Sequence, residues 1–495
     1  MSRSGLAVTR TALTLLPNPR RVLAKPFLPG EETVGGGKSR AGLLMDRILD
    51  LPEPEVASAL AGVMAGFSSR HKGFEQILEQ HFERVAQHLP PGIHLSRERH
   101  LLIGAYFTHE YSVEAAALFN PSLVLAPDQS NLPLGHRRFV MSLRAVGEGH
   151  VSSIEFRSGT IDIGSEVTFD PVGTKLVNGR RTAPGSYDKR MFSAKLGELG
   201  AGNDISRRVL SRLSERFTIE DLERALALLE EDGAPPAMRY ETAKIIRVLA
   251  SSSYVTSFPA DSELAERVIF PGGPNETQGM EDARFVRFVE DDGTVKYYAT
   301  YTAFDGFEIF PQLIETEDFV SFAIATLNGS AAQNKGMALF PRRIDGKFVM
   351  LSRKDRENLH LAMSTDVRFW NDATELHTPS RSWELQQIGN CGSPLETDAG
   401  WLVLTHGVGP MRRYTLSALL LDLADPRRVI GCLPVPLLVP DETEREGYVP
   451  NVLYSCGGII NGDTLVLPYG FSDHGIKIAF VAVPELLEEL RISAV

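Results

Sequence analysis

Glu281 and Asp282 stand side by side, with Arg284 two residues on, inside the stretch Pro271–Asp305. Further carboxylates that could share a site are Asp305 and Asp473. The candidate cations are Arg144, Lys335, Arg353 and Arg356, and the neutral polar groups are Asn120, His406 and Asn451. Carboxylates together with aromatic side chains suit sugar binding and glycosidic cleavage, in which the leaving oxygen needs a proton. Arginine and lysine suit a bound oxyanion, because a guanidinium matches phosphate in a bidentate way. Both sets together point to transfer of a glycosyl group to phosphate. Other chemistries lack their residues. His109-Glu110 has no second histidine at zincin spacing, and there is no CxxC pair, GxSxG elbow or dinucleotide fingerprint. Gly35-Gly36-Gly37-Lys38-Ser39 resembles a phosphate loop, but Glu32 stands where the first glycine belongs, so a linker is expected.

These residues must be positioned by the elements that carry them. A Gly/Pro-rich approach, PGGPNETQG, leads into the two carboxylates. Two strand-like runs follow, separated by Asp291-Asp292-Gly293, a hairpin signature. Similar strand cores begin at Phe139, Tyr297, Phe348, Trp401 and Leu465; the last four starts are spaced 51, 53 and 64 residues apart. The first gap is longer, and a helical block near 203–250 fills much of it. There Thr218 and Asp221 form a capping box, and Gly233 with Pro235-Pro236 ends a helix. Five units of about 50 residues predict a mainly β fold, a five-bladed β-propeller. Equivalent strand ends would bring Arg144, Thr302, Arg353 and His406 to one mouth of its channel. The expected organisation is an irregular segment 1–40, with a short strand near 20–27, then a helical extension 41–118 and a catalytic propeller 119–495 with a helical insertion 187–250.

The chain carries a net charge of −12 with no Lys/Arg block, so neither nucleic acid nor an anionic membrane is expected as a partner. No apolar run reaches membrane-spanning length, and Ala12–Pro17 is too short for a signal segment. Three cysteines, Cys391, Cys432 and Cys456, suit a reducing compartment, and a cytoplasmic protein is expected.

The segment Gly279-Met-Glu-Asp-Ala-Arg284, with Tyr301-Thr-Ala-Phe-Asp-Gly306, resembles glycoside hydrolase family 130, the β-mannoside phosphorylases and their hydrolytic relatives. Ala338-Leu-Phe-Pro341, Gly400-Trp-Leu-Val-Leu-Thr-His-Gly407, Tyr448-Val-Pro-Asn451 and Asp463-Thr-Leu fit as well. The resemblance runs from about Asn120 to Leu490 outside the insertion, and the N-terminal helices match the longer branch of the family. It implies a five-bladed propeller and inverting, single-displacement cleavage of a β-mannosidic bond. On this resemblance Asp282 is the general acid, donating its proton through a hydroxyl of the mannosyl ring. Asn120 and Arg144 hold the mannosyl unit, Lys335 and Arg353 bind phosphate with Arg356 beside them, and His406 and Asp473 line the cavity.

The expected co-substrates are therefore a β-mannoside and inorganic phosphate, with no metal and no further cofactor. Glu281, Arg284, Asp305 and Asn451 join the substrate-binding candidates, and a homo-oligomer is left open. Three positions depart from the family pattern: Ala283 for Pro, Ser352 for His, and Glu396 where phosphorylases tend to carry Lys. A carboxylate at 396 near the site would repel phosphate. That keeps a phosphate-independent β-mannosidase as the alternative, and a non-catalytic glycan-binding propeller as the second.

Overall fold

A computed structural model describes residues 6–30, 33–34, 38–229 and 235–492. Gly35–Gly37 of the expected linker and the expected helix stop at Gly233 lie outside the described residues. The chain is mainly β with helices. Its sheets are antiparallel runs in which consecutive strands pair: Ala117–Leu125 to Val167–Phe169, Gly279–Val289 to Ser321–Thr326, Ala338–Leu339 to Ala373–His377, Gln387–Asn390 to Val429–Cys432, and Leu453–Tyr454 to Gly475–Ala482. The first two runs join into one twelve-stranded sheet, where Gly279–Val289 pairs in parallel with Ser152–Ile161 at Gly279 and Ser152.

Alternation within single strands explains how the runs stack. In Gly400–Val408, Trp401 and Val403 pack with Val349, Leu351 and Leu361 of the third run. Their neighbours Leu402 and Leu404 pack with Leu465, Leu467 and Val481 of the fifth. Successive side chains of a strand point to opposite faces, so a strand buried on both sides serves two cores. Phe156 with Phe285 joins the first run to the second, and Phe288 with Met350 joins the second to the third. Met141 with Val466 and Ile478 joins the fifth back to the first.

The first 40 residues are not irregular throughout, as expected from sequence. Val8–Leu15 is a strand that pairs antiparallel with Gly475–Ala482 at the far end of the chain. Thr9 is exposed between Val8 and Arg10, and Thr14 between Leu13 and Leu15; the register shift between Arg10 and Thr14 moves the alternation from one parity to the other. Val22–Pro26, inside the predicted short strand, pairs with Thr108–Ser112.

Four helices, Arg40–Leu49, Glu53–Phe67, Phe74–Glu83 and Arg97–Tyr106, lie between these two short strands. Buried Arg99 donates to the carbonyls of Ile48, Leu49 and Leu51, satisfying acceptors that the end of the first helix leaves free. The inserted helices Lys189–Glu198, Asp204–Ser211, Ile219–Ala227 and Pro236–Ser251 share a core of Phe192, Val209, Phe217, Leu222 and Ile246. The Thr218–Asp221 capping box forms as read from sequence. Among the described residues no helix is long and apolar enough to cross a membrane.

Arg21 and Arg157 meet Glu114 and Glu155 in a network of four buried charges, with contacts of 2.6–3.0 Å. It ties the N-terminal segment to the first run. Burial, then the neighbouring Glu155 charge, pushes the Glu114 carboxyl up to about 8. Arg21→Ala leaves Glu114 and Glu155 to share Arg157 as their remaining guanidinium and is expected to cost about 3–5 kcal/mol of stability, measured by denaturant unfolding.

Candidate active site

Each run has a residue with positive φ at a comparable place: Asn120 and Asp282 within strands, and Gly336, Gly392 and Gly457 in the links that lead into one. Three residues on, each has an apolar side chain: Leu123, Phe285, Leu339, Leu395 and Ile460. Neighbouring members touch. Phe285 N–H donates to Ser122 Oγ (3.0 Å), and Thr300 Oγ1 donates to the Met337 carbonyl (2.5 Å). Ser393 Oγ donates to the Leu339 carbonyl (2.6 Å), and Cys456 N–H donates to the Pro121 carbonyl (2.8 Å). A Cβ on Gly392 (φ 121°) would sit 2.3 Å from the Cys456 carbonyl oxygen, so only glycine fits there.

At Asp282 (φ 55°) the left-handed backbone makes a bulge. Glu281 pairs with Thr302 and Arg284 with Thr300, so two residues, Asp282 and Ala283, stand opposite Tyr301 alone. A non-glycine residue held this way costs about 1–3 kcal/mol. The bulge re-aims the Asp282 side chain: Asn120 Nδ2 donates to its Oδ1 at 2.7 Å and Arg144 Nη1 to the same oxygen at 3.2 Å. Arg144 also donates through Nη2 to Glu281 (2.7 Å) and through Nε to Ser152 Oγ (2.9 Å), so its orientation is fixed at three points. Burial pushes the Asp282 carboxyl up. Arg144, Arg284 and Lys335 and the Asn120 hydrogen bond outweigh it and hold the group below the usual aspartate value.

A second cluster adjoins the first. Arg284 Nη2 donates to Tyr454 Oη (2.6 Å), and the Tyr454 ring lies 4.7 Å from that of His406. His406 is buried, and burial, then Arg353 and Arg284, drives its pKa well below the ordinary histidine value. Arg353 can only donate, so at 3.2 Å His406 Nε2 is the acceptor and Nδ1 carries the proton, facing Cys391 Sγ at 3.8 Å. A Cβ at Gly389 would lie 2.6 Å from the His406 ring, so this pair depends on glycine. Lys335 Nζ is 3.9 Å from Glu281. Arg356, exposed on the loop after Arg353, donates to Asn334 Oδ1 at 3.1 Å, beside Lys335. Arg284, Thr300, Thr302, Asn334, Lys335 and Gly336 line a narrow recess here.

Asn120, Arg144, Glu281, Asp282, Arg284, Lys335, Arg353 and His406 are thus brought together, with Arg356 at the edge through Asn334. Asp473, in left-handed backbone on the loop after Thr464–Phe471, feels the charges of Arg144 and Asp282. Two candidates are placed otherwise. Asp305 Oδ1 accepts from the N–H groups of Phe307 (2.8 Å) and Glu308 (2.7 Å), so it shapes a hairpin turn. Asn451 Oδ1 accepts from Arg445, on a loop.

Glu396 also corrects the sequence reading. It makes a two-point ion pair with Arg342 (2.6 and 2.9 Å) and pairs in the sheet with Trp401, five residues before His406 on the same strand. At about 3.4 Å per residue that places it roughly 17 Å from His406 along the strand. It lines a separate cavity of about 450 Å³ with Arg342, Phe285 and Ile459.

Tyr454 was not found from sequence, because a tyrosine without an acidic or basic neighbour carries no chemical signal there. Asp355, His360 and Glu375 bring ligand atoms within 4.8 Å of one another beside the Arg353 loop, a grouping the sequence spacing did not show.

A buried carboxylate cradled by an amide and a guanidinium, flanked by further cations, is a site for a hydroxylated ligand next to an oxyanion. The family model of glycoside hydrolase family 130, described as β-1,4-mannooligosaccharide phosphorylase, matches residues 255–491. The 1,2-β-oligomannan phosphorylase of Thermoanaerobacter sp. (strain X514) is 34% identical over 224 residues, 43% of this chain and 71% of that protein. The β-1,2-mannobiose phosphorylase of Listeria innocua serovar 6a is 30% identical over 233 residues, 46% of this chain and 64% of its own length. The β-1,4-mannooligosaccharide phosphorylase of Ruminococcus albus is 28% identical over 243 residues, 46% of this chain and 71% of that protein. The chain belongs to glycoside hydrolase family 130.

Asp473 yields a pH prediction. Burial pushes its carboxyl up to about 6 in the folded protein, against about 3.9 in an unfolded chain. The folded state therefore holds the proton more tightly, and stability from this group is lost as pH rises from about 4 through 6. Asp473→Asn removes that penalty: its melting temperature is expected to exceed wild type at pH 7.5 and to converge with it near pH 4, measured by thermal unfolding.

Proposed function

We propose that this chain catalyses inverting phosphorolysis of β-mannosides, giving α-mannose 1-phosphate and a shortened acceptor. The observation that carries the proposal is Asp282, held by Asn120 and Arg144 beside a flank of Arg353, His406, Lys335 and Arg356. The named relatives, all phosphorylases of β-mannosides, support it. Asn120 and Arg144 take the mannosyl unit, and Lys335, Arg353 and Arg356 take phosphate. A phosphate oxygen attacks the anomeric carbon from the face opposite the glycosidic oxygen, and the carbon–oxygen bond to the acceptor breaks. Asp282 passes a proton, through a hydroxyl of the mannosyl ring, to the departing oxygen. In the net reaction a phosphate dianion becomes a sugar phosphate dianion, and its proton ends on the acceptor. Because the Asp282 carboxyl is ionised in the unliganded protein, it takes up that proton as the substrates bind, and the proton that phosphate loses on attack balances the uptake. A neutral His406 accepts from Arg353 and fixes its guanidinium without adding charge.

The hydrolytic alternative rested on Glu396, and its pairing with Arg342 removes that motive. The five-bladed propeller belongs to the same proposal. It is supported by five repeated left-handed positions and by cores that run from each antiparallel run to the next and back to the first. Three free, buried cysteines support a cytoplasmic location.

The proposal is tested by turnover of β-1,2- and β-1,4-mannobiose with and without phosphate. Activity is expected only with phosphate; equal release of free mannose without it would establish the hydrolase. Asp282→Asn should lower kcat by about 10²–10⁴ with the melting temperature retained. Arg353→Glu should raise the KM for phosphate far more than that for the mannoside, whereas Glu396→Gln should leave the phosphate KM unchanged in initial-rate assays.

A further inference from the structure

Glu276 is fully buried, in the turn that delivers the chain to the catalytic strand, and its carboxylate meets four donors. Oε2 accepts the N–H groups of Gly272 (3.0 Å) and Gly273 (2.8 Å). Oε1 accepts the Tyr301 hydroxyl at 2.5 Å, and the Tyr254 hydroxyl lies 3.1 Å from both oxygens. Each partner has a distinct place in the fold. Gly272 and Gly273 belong to the approach loop. Tyr301 is the single residue opposite the Asp282–Ala283 bulge. Tyr254 opens the strand Tyr254–Ser257, which follows the last inserted helix, Pro236–Ser251. One side chain therefore joins the loop before Asp282, the strand facing the Asp282 bulge and the foot of the helical insertion.

Nearer Asp282 the loop is also tied by Gln278 N–H to the Phe304 carbonyl (2.9 Å), Ser152 N–H to the Gln278 carbonyl (3.3 Å) and Thr277 Oγ1 to the Asp305 carbonyl (3.0 Å), while Arg181 crosses Gly272 to reach the Phe270 carbonyl and lies over the Tyr254 ring. A left-handed aspartate persists only when its surroundings over-determine it. The Glu276 contacts supply that determination from behind the sheet, while Asn120 and Arg144 supply it in front. Burial, then the Glu276 charge, also raises both tyrosine hydroxyls well above their ordinary pKa, so both remain donors.

We infer that Glu276 is a positioning residue for Asp282: through Tyr301 and the Gly272–Gly273 backbone it fixes the bulge that aims the carboxylate into the site. The kinetic side of this inference rests on the phosphorylase reading above.

The test begins with wild-type turnover of β-1,2- and β-1,4-mannobiose in phosphate. Glu276→Ala should lower kcat by about 10²-fold, the scale on which small misplacement of a reacting group acts, with both KM values little changed. Glu276→Gln keeps an acceptor for the glycine N–H groups and an amide that the tyrosine oxygens can accept, and should recover most of the lost kcat. Tyr301→Phe should lower kcat by about tenfold, the effect of one buried hydrogen bond. A purely structural role would lower the melting temperature of these variants and leave kcat at 25 °C at the wild-type value; that result overturns the inference. If Glu276→Ala does not fold, Tyr301→Phe decides it by the same kcat criterion. If wild type cleaves neither mannobiose, the activity reading fails, and crystal structures of wild type and Tyr301→Phe decide the positioning claim alone. Asp282 displaced from Asn120 and Arg144 supports it, and Asp282 in place refutes it.

Discussion

The left-handed turn of backbone at Asp282 is the constraint on which the site depends. In a regular strand successive side chains alternate between faces, so Glu281 and Asp282 would point to opposite sides of the sheet. The extra residue of the bulge breaks that alternation, and Arg144 donates to both carboxylates. Asn120, in left-handed backbone at the equivalent place of the neighbouring run, meets Asp282 from the other side. Where the repeat needs only the backbone shape, glycine occupies the position, as at Gly336, Gly392 and Gly457. The two non-glycine members are the two that hydrogen-bond to each other.

Electrostatics then decides what this shape can do. An isolated buried carboxylate would be neutralised or expelled. Asp282 remains charged because Arg144 and Arg284 lie close by. His406 shows the opposite effect: burial and two guanidinium groups keep it neutral, which makes it an acceptor for Arg353. The site therefore offers cationic donors beside the Asp282 carboxylate. Glu396, which would have been that anion, is held by Arg342 toward the other end of the strands.

Much of this was legible in the sequence because the fold is periodic. Strand cores at similar spacing carried Arg144, Thr302, Arg353 and His406 to corresponding places, and the Glu-Asp-x-Arg stretch marked the carboxylates on which Asn120 and Arg144 converge. Three kinds of information were not legible. The Val8–Leu15 strand pairs with residues more than 460 positions away, and the register shift between Arg10 and Thr14 breaks its alternation. The direction of a charged side chain near a strand end depends on a partner that no local pattern reveals. Glu396 found Arg342 and Asn451 found Arg445. Tyr454 accepts from the Arg284 guanidinium and Glu276 from the hydroxyls of Tyr254 and Tyr301, partners brought from other segments, and single residues carry no spacing signal.

The account's central claim is that an oxyanion is bound on the Arg353 flank within reach of a mannosyl carbon held at Asp282. A crystal structure grown with inorganic phosphate tests this most directly. Phosphate is predicted within hydrogen-bond distance of the Arg353 guanidinium and the Lys335 ammonium, on the same face as Asp282. Phosphate seated instead against Arg342 at the Glu396 end, with the Arg353 flank free of it, would contradict the claim.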